Sequence, residues 1–301
     1  MSMQEVIPIV VIGGPTASGK TALAECVCTK FSGVMLNGDA RQIYLGLSAI
    51  TAAPSELGAS QLFNFKNVSE EYSFAQYITD ADAAIARARA EGKLPVIVGG
   101  SGLYLDALTE RYVPPPVPVP AVRKYVQSLT PMAARAELVR IDPRGAAAVD
   151  LQNPRRVARA LEVFFQTGKS IVDFWKTVES PYRVLKIGWC PATPEELRAR
   201  IAVRAGAMMS VGAREVRALL AEGHTLEEPG MQTIGVPQIA SYLAGAHSEA
   251  ETREEIITAT WQYARRQMTW FKRSPGIVWY TSEDDVCRSL QNFLHNDSKV
   301  F

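Results

Sequence analysis

The chain has 301 residues, 47% of them hydrophobic and 21% charged, with 32 Lys and Arg against 31 Asp and Glu. This is the composition of a folded globular protein and excludes wholesale disorder, and the length allows one large α/β domain or a domain with a smaller companion. Taken as an average, the formal net charge of +1 speaks against a uniformly basic nucleic-acid coat.

Ile7–Ile12 is a short, continuous apolar run stopped by Gly13-Gly14, as expected of a strand covered on both faces in a parallel sheet. A helix is predicted from Lys20 to Phe31, then a strand over Val34–Leu36 ending at Asn37-Gly38-Asp39. Ser73 to Glu91 reads as an alanine-rich helix, and Leu94–Val98 as a strand broken by Gly99-Gly100. Such strand–helix–strand alternation marks an open α/β sheet. The run from Val113 to Pro120 is too proline-dense for helix or central strand and reads as a stiff connector into a new unit. From Ala121 to about Ser180 the pattern is helical, most regularly over Arg155–Thr167. A strand over Arg183–Trp189, one or two helices over Glu195–Glu222, a long helix over Thr252–Lys272 and a strand over Ile277–Tyr280 complete the expected elements. The tail from about His295 is expected to fray.

Cys26, Cys28, Cys190 and Cys287 are too few and too scattered for a disulfide scaffold, and one residue between Cys26 and Cys28 is the wrong spacing for a zinc knuckle. The three histidines form no metal-ligand pattern. No apolar run approaches the ~18 residues of a membrane span, so the expected setting is the cytoplasm with no membrane partner. Charge, however, is uneven. Ala121–Arg217 holds 13 Arg and 4 Lys against 9 Asp and Glu, a net of +8, and the remainder of the chain carries −7. The segment is either a helical region with solvated arginine faces or a binding surface for a polyanion, where Arg favours phosphate.

Gly14-Pro15-Thr16-Ala17-Ser18-Gly19-Lys20-Thr21 has the phosphate-loop pattern G-x-x-x-x-G-K-[ST] between a predicted strand and helix. Its glycines let backbone N–H groups converge on phosphate oxygens at the positive end of the helix. Lys20 supplies a cation, and the Thr21 hydroxyl is a ligand for Mg²⁺. Asp39 ends the second strand, beside the crevice that strand ends form in an open parallel sheet. It is a base or metal-shell ligand, or else a turn or N-cap aspartate. Gly99-Gly100-Ser101-Gly102-Leu103-Tyr104 would put the Ser101 hydroxyl on the same rim.

In this order the stretches Gly14–Thr21, Asp39–Tyr44, Gly99–Tyr104, Asn153–Glu162 and Arg265–Phe271 resemble the tRNA dimethylallyltransferases (tRNA isopentenyltransferases), over nearly the whole chain. The Arg-x-x-Arg-Ala-Leu-Glu helix and the Arg-Gln-x-Thr-Trp-Phe segment are the specific part, since the phosphate loop alone is generic. The resemblance implies an α/β protein with a P-loop-type parallel sheet core, in two parts at 1–112 and 183–301, and an inserted, mainly helical tRNA-binding domain at 113–182. It implies transfer of a dimethylallyl group from dimethylallyl pyrophosphate to the exocyclic amine of the adenosine 3′ of the anticodon. Pyrophosphate would sit on Gly14, Thr16, Ala17, Ser18, Gly19, Lys20 and Thr21, with Mg²⁺ at Thr21. Asp39 would be the general base, Ser101 (where the family usually has Thr) a donor to the bridging oxygen, and Arg204 a further pyrophosphate ligand. The tRNA anticodon stem-loop would meet Asp39, Ala40, Arg41, Gln42, Ser101, Arg123, Arg155, Arg156 and Arg159, the last four in the +8 segment. A monomer is expected. The nearest alternatives are an adenylate dimethylallyltransferase acting on free AMP, a phosphate-loop kinase or NTPase, and a catalytically weakened tRNA-binding homologue.

The chain departs from the family pattern in three places. The family's Gly-Thr-Ala-Lys-Pro is Ile50-Thr51-Ala52-Ala53-Pro54 here, without the lysine. Leu62-Phe63 stands about where a pair of histidines is usual, and Arg-x-x-Gly-Tyr-Arg reads Gln232-Thr233-Ile234-Gly235-Val236-Pro237.

Overall fold

In a computed structural model of the chain, which describes residues 6–54, 56–58 and 61–295, the strands among those residues form one parallel sheet of order β2-β3-β1-β4-β5. They are β1 (Ile7–Gly13), β2 (Gly33–Asn37), β3 (Leu94–Gly99), β4 (Tyr182–Trp189) and β5 (Ile277–Tyr280). Ile9 and Val11 of β1 face one apolar cluster, with Leu36, Ile97, Tyr77 and Leu105. Val10 and Ile12 face another, with Leu23, Val27, Val98 and Leu290. Alternate side chains of one strand thus meet helices on opposite faces, which is why the run is apolar at every position rather than at every second one.

Two compact units make up the chain: residues 1–109 with 180–301, and residues 110–179. The sheet unit carries α1 (Lys20–Lys30), α2 (Ser48–Thr51), α3 (Phe74–Ala90) and α4 (Gly102–Thr109) in its first part. The helical unit holds α5 (Pro120–Ser128), α6 (Pro131–Ile141), α7 (Pro143–Ala148) and α8 (Pro154–Thr167). Its division from the sheet unit falls at 110 and 179 rather than at 113 and 182. Tyr112 bridges Thr177, and Val113 N–H and Val178 N–H donate to the Lys176 and Arg111 carbonyls. The entering and leaving segments therefore belong together, and Tyr182 already pairs with Ile7 in the sheet.

The sheet unit resumes with α9 (Pro194–Ala207), α10 (Ala213–Ala221), α11 (Val236–Leu243), α12 (Glu249–Phe271) and α13 (Glu283–His295). A π-turn over Met208–Gly212 joins α9 to α10, an irregularity often found at functional sites. The N-termini have side-chain caps where the sequence offers them. Ser73 and Gln76 form a capping box on α3, Asn153 accepts from the Arg155 and Arg156 amides of α8, and Ser248 with Glu251 caps α12. His295 closes the regular α13, and residues 296–301, where fraying was expected to begin, lie outside the described residues.

Asp106 on α4 is a buried polar hub, 3% exposed. Its Oδ1 accepts from Lys186 Nζ of β4 at 3.2 Å and from Ser274 Oγ at 2.5 Å, and its Oδ2 accepts from Trp270 Nε1 of α12 at 2.6 Å. Each charge is satisfied only because the other elements are in place. Asp106→Ala removes the carboxylate that pairs with the Lys186 ammonium, itself 6% exposed, and is expected to destabilise the fold by about 3–5 kcal/mol. Urea unfolding measures this as a lowered midpoint at unchanged slope.

Candidate active site

A cavity of about 670 Å³ opens in the sheet unit at the carboxyl ends of β1, β2 and β3, where open α/β sheets bind ligands. Its wall includes the phosphate loop from Thr16 to Thr21, together with Asp39, Arg41, Gln42 and Arg204. The loop needs its glycines. A Cβ on Gly14 would lie 2.2 Å from the Trp189 carbonyl oxygen, and Gly19, the residue before α1, is left-handed at φ +89°.

Lys20 Nζ donates to the Pro15 carbonyl at 2.5 Å. Burial disfavours its ammonium and holds its pKa down at about 8, against a pull upward from Asp39, a further push downward from Arg204 and a pull upward from Cys190. Arg204 donates to Thr16 Oγ1 at 2.8 Å and to the Ile50 carbonyl at 3.1 Å, and burial likewise lowers its pKa. Two polar atoms of this wall, Arg204 Nε and the hydroxyl of Ser18, are buried without a hydrogen-bond partner among the described residues. Arg200 adds a bond from Nη1 to the Ser18 carbonyl at 3.1 Å.

Asp39 is held by backbone on both oxygens. Oδ1 accepts from the Arg41 amide at 2.9 Å and Oδ2 from the Gly100 amide at 3.2 Å. The chain before it is fixed by Asn37, whose Oδ1 accepts from the Asp39 amide and whose Nδ2 donates to the Leu62 carbonyl. Ser101 Oγ accepts from the Ala40 amide at 2.8 Å and lies near Tyr263 of α12. Burial, then the neighbouring Asp39, push the Tyr263 phenol well up, so it stays protonated. Arg41 reaches the Pro229 carbonyl at 2.7 Å, and Gln42 the Thr51 and Ala52 carbonyls.

The residues that pattern reading left out come from α12. Gln267, 5% exposed, accepts from the Thr16 amide at 2.8 Å and donates to the Gly100 carbonyl at 2.8 Å. Tyr263 and Arg266 line the cavity beside it. The Arg265–Phe271 segment was visible as a motif, but which of its side chains face the loop depends on packing. Glu215 of α10 was likewise unmarked; it accepts from the Ala49 and Ile50 amides and closes the start of α2.

The other expected residues lie in the helical unit. Arg123 and Arg159 both pair with Glu162, at 3.7 and 3.4 Å. Arg159 also donates to the Pro115 and Pro116 carbonyls at 3.1 and 2.9 Å, so it fastens the proline connector to α8. Arg155 and Arg156 are exposed at the start of α8.

A family model described as IPP transferase matches residues 42–274. The tRNA dimethylallyltransferase of Rhizobium meliloti (strain 1021) is 40% identical over 291 residues, 92% of this chain and 96% of that protein. That of Dehalococcoides mccartyi is 36% identical over 300 residues, 96% of this chain and 92% of its own. The chain belongs to the tRNA dimethylallyltransferase (IPP transferase) family. Among solved structures, the tRNA isopentenylpyrophosphate transferase of Bacillus halodurans superposes with a TM-score of 0.68 at 28% identity, covering 97% of this chain and 96% of that one. A eukaryotic dimethylallyltransferase described as acting on tRNA gives 0.79 at 25% identity, covering 96% and 80%.

The departures of this chain from the family pattern fall into two kinds. Ala53, Leu62, Phe63 and Val236 are buried apolar residues, so their changes are absorbed by the core. Gln232, where the family has Arg, lines the cavity and alters its wall. The Lys20 pKa yields a test. The folded chain releases this proton near pH 8 and the unfolded chain near about 10.4, so between these values the unfolded state holds more protons. Stability of the ligand-free protein therefore rises with pH across that window. An anion reverses the preference by favouring the ammonium. Calorimetry of inorganic pyrophosphate binding at pH 8, in buffers of different ionisation heat, is expected to show a proton uptake that Lys20→Met lacks.

Proposed function

We propose that the protein transfers a dimethylallyl group from dimethylallyl pyrophosphate to the exocyclic amine of the adenosine 3′ of the anticodon in tRNA, releasing pyrophosphate. One observation carries this assignment of roles: the phosphate loop and the Asp39 carboxylate line a single cavity. A diphosphate on the loop and a proton acceptor beside it are what displacement by a weakly nucleophilic amine requires.

The donor's diphosphate takes the loop amides, the unpartnered Ser18 hydroxyl, Lys20 and Arg204. The adenine amine attacks the allylic carbon, the carbon–oxygen bond to pyrophosphate breaks, and Asp39 takes the proton that the amine loses. A carboxylate has about four lone-pair positions, and the Arg41 and Gly100 amides use two, leaving Asp39 fixed in place and still able to accept. Ser101, held by the Ala40 amide, is the donor toward the bridging oxygen. Lys20 and Arg204 face the charge that builds on the leaving group and so favour the transition state over the bound substrate.

The wall also fits Mg²⁺. Its hard oxygen donors, above all the Thr21 hydroxyl, suit an ion that binds through few protein ligands and the substrate's phosphates. Among the described residues no three His, Cys, Asp or Glu cluster as an all-protein metal cage. When bound, the ion would neutralise diphosphate charge beside Thr21. The tRNA anticodon stem-loop meets Asp39–Gln42 and the helical unit through Arg123, Arg155, Arg156 and Arg159, with the target base extruded from its stack. The working form is a monomer in the cytoplasm. Among the described residues no helix is long and apolar enough to cross a membrane, and the four cysteines are free thiols.

The test is incubation with labelled dimethylallyl pyrophosphate and either unmodified tRNA or AMP, with mapping of the labelled nucleotide. Label in the tRNA adenosine is expected, and label in AMP alone would sink the assignment. Asp39→Ala is expected to lower kcat by about 10²–10⁴-fold while the KM for the donor stays within about threefold. Equal activity of the variant and the unaltered protein would remove Asp39 from the mechanism.

A further inference from the structure

Trp175 has no place in the chemistry above, and it is not buried. It is 57% exposed and lines a groove of about 350 Å³ within the helical unit, together with Arg155, Arg156, Arg159 and Asn153. The residue is presented rather than loose. It follows a 3-10 turn, Ile171–Phe174, capped by the Ser170 hydroxyl and tied by the Asp173–Arg144 ion pair at 2.8 Å. The Trp175 amide closes back on the Val172 carbonyl at 3.1 Å. A fixed, half-exposed indole leaves apolar area in water that the fold itself does not use.

The charges around it point the same way. Arg155 and Arg156 occupy the first turn of α8, with no acidic residue in that turn. Cations there oppose the helix dipole, so their placement weakens the free helix and is offset when an anion arrives. Two acidic groups of the helical unit are engaged by other arginines: Glu162 by Arg123 and Arg159, and Asp173 by Arg144. Arg159 is immobilised by the Pro115 and Pro116 carbonyls, which lowers the entropy it loses when a ligand binds.

An aromatic platform bordered by arginines is the chemistry that holds an unpaired nucleotide, by base stacking and phosphate contact. We infer that this groove binds an unpaired nucleotide of the RNA substrate, its base on the Trp175 indole and its phosphate on Arg155 and Arg156, distinct from the adenosine that reacts. The inference rests on the tRNA reading above and adds a second, non-reacting base contact to it.

The experiment is fluorescence anisotropy of labelled anticodon stem-loop RNA at several salt concentrations. Trp175→Ala is expected to raise Kd about tenfold, with the slope of log Kd against log salt unchanged. Trp175→Phe keeps a stacking face and is expected to stay within about threefold of the unaltered protein. Arg155→Gln and Arg156→Gln should each weaken binding and reduce the salt slope by about one. Calorimetry with inorganic pyrophosphate, which uses side chains of the sheet unit, checks folding and should be unaffected by any of the four. An unaltered Kd for Trp175→Ala overturns the inference, as does an equal loss in the Ala and Phe variants. If the unaltered protein instead labels AMP and binds no RNA, the tRNA reading itself fails, a result distinguishable from loss of the stacking contact alone.

Discussion

The site hangs on one carboxamide. Gln267 sends its oxygen to the Thr16 amide of the phosphate loop and its nitrogen to the Gly100 carbonyl at the end of β3. The next bond in the chain runs from the Gly100 amide to Asp39. Loop, strand end and carboxylate are therefore linked through a single side chain on α12, and the register between anion site and base is set there. The arrangement demands glycine on the far side, because a Cβ on Gly100 would lie 2.3 Å from the Gln267 nitrogen. It also demands that α12 stay where it is. That is the work of Asp106, which grips Trp270 one turn further on and is neutralised by Lys186. Gly102, whose added Cβ would meet the Trp270 indole at 2.2 Å, completes the fit.

Such a chain of polar contacts makes the site cooperative. Gly100, Asp106, Lys186 and Gln267 are buried, so losing one of these bonds leaves a polar group unsatisfied in a low-dielectric interior, at a cost larger than the bond's own net worth. The same network explains how the π-turn at Met208–Gly212 is tolerated. Gly212 packs so closely on Ile50 that a Cβ would come within 2.5 Å of it, and Ile50 offers its carbonyl to Arg204. The irregular turn thereby sets the depth at which the Arg204 guanidinium meets Thr16.

What could be read from the residues alone was local. β1 and β3 were legible because a doubly covered strand is apolar at nearly every position, and the loop after β1 because its glycines and lysine have fixed spacing. α4 was not: two turns that are apolar almost all round, as in Leu103-Tyr104-Leu105 and Ala107-Leu108, show no period. α13 did carry signals, with Glu283, Asp284 and Asp285 in its first turn and Val286 and Leu290 four apart, but it follows a short, half-exposed strand and was passed over. Asp39 was visible as a strand-end carboxylate. Its bond to Gly100 was not, because a contact between residues 61 apart depends on β2 lying beside β3, and apolar strands do not announce their order. Arg159 was legible as a cation; its use as a clasp for Pro115 and Pro116 required knowing that the connector runs alongside α8.

The electrostatics of the cavity argue for the kind of ligand it holds. Lys20 is pushed toward neutrality by burial, the Arg204 charge is disfavoured in the same way, and among the described residues an arginine nitrogen and a serine hydroxyl are left without partners. A cavity built for a neutral ligand would gain nothing from these features. A polyanion satisfies all of them at once, and the benefit grows with its charge. In the proposed transfer the charge on the diphosphate would increase as the carbon–oxygen bond opens, so Lys20 and Arg204 would interact more strongly with the departing group than with the bound donor. On that proposal the desolvation cost borne by the folded chain at Lys20 and Arg204 would be recovered most fully at the transition state, where it would accelerate the reaction.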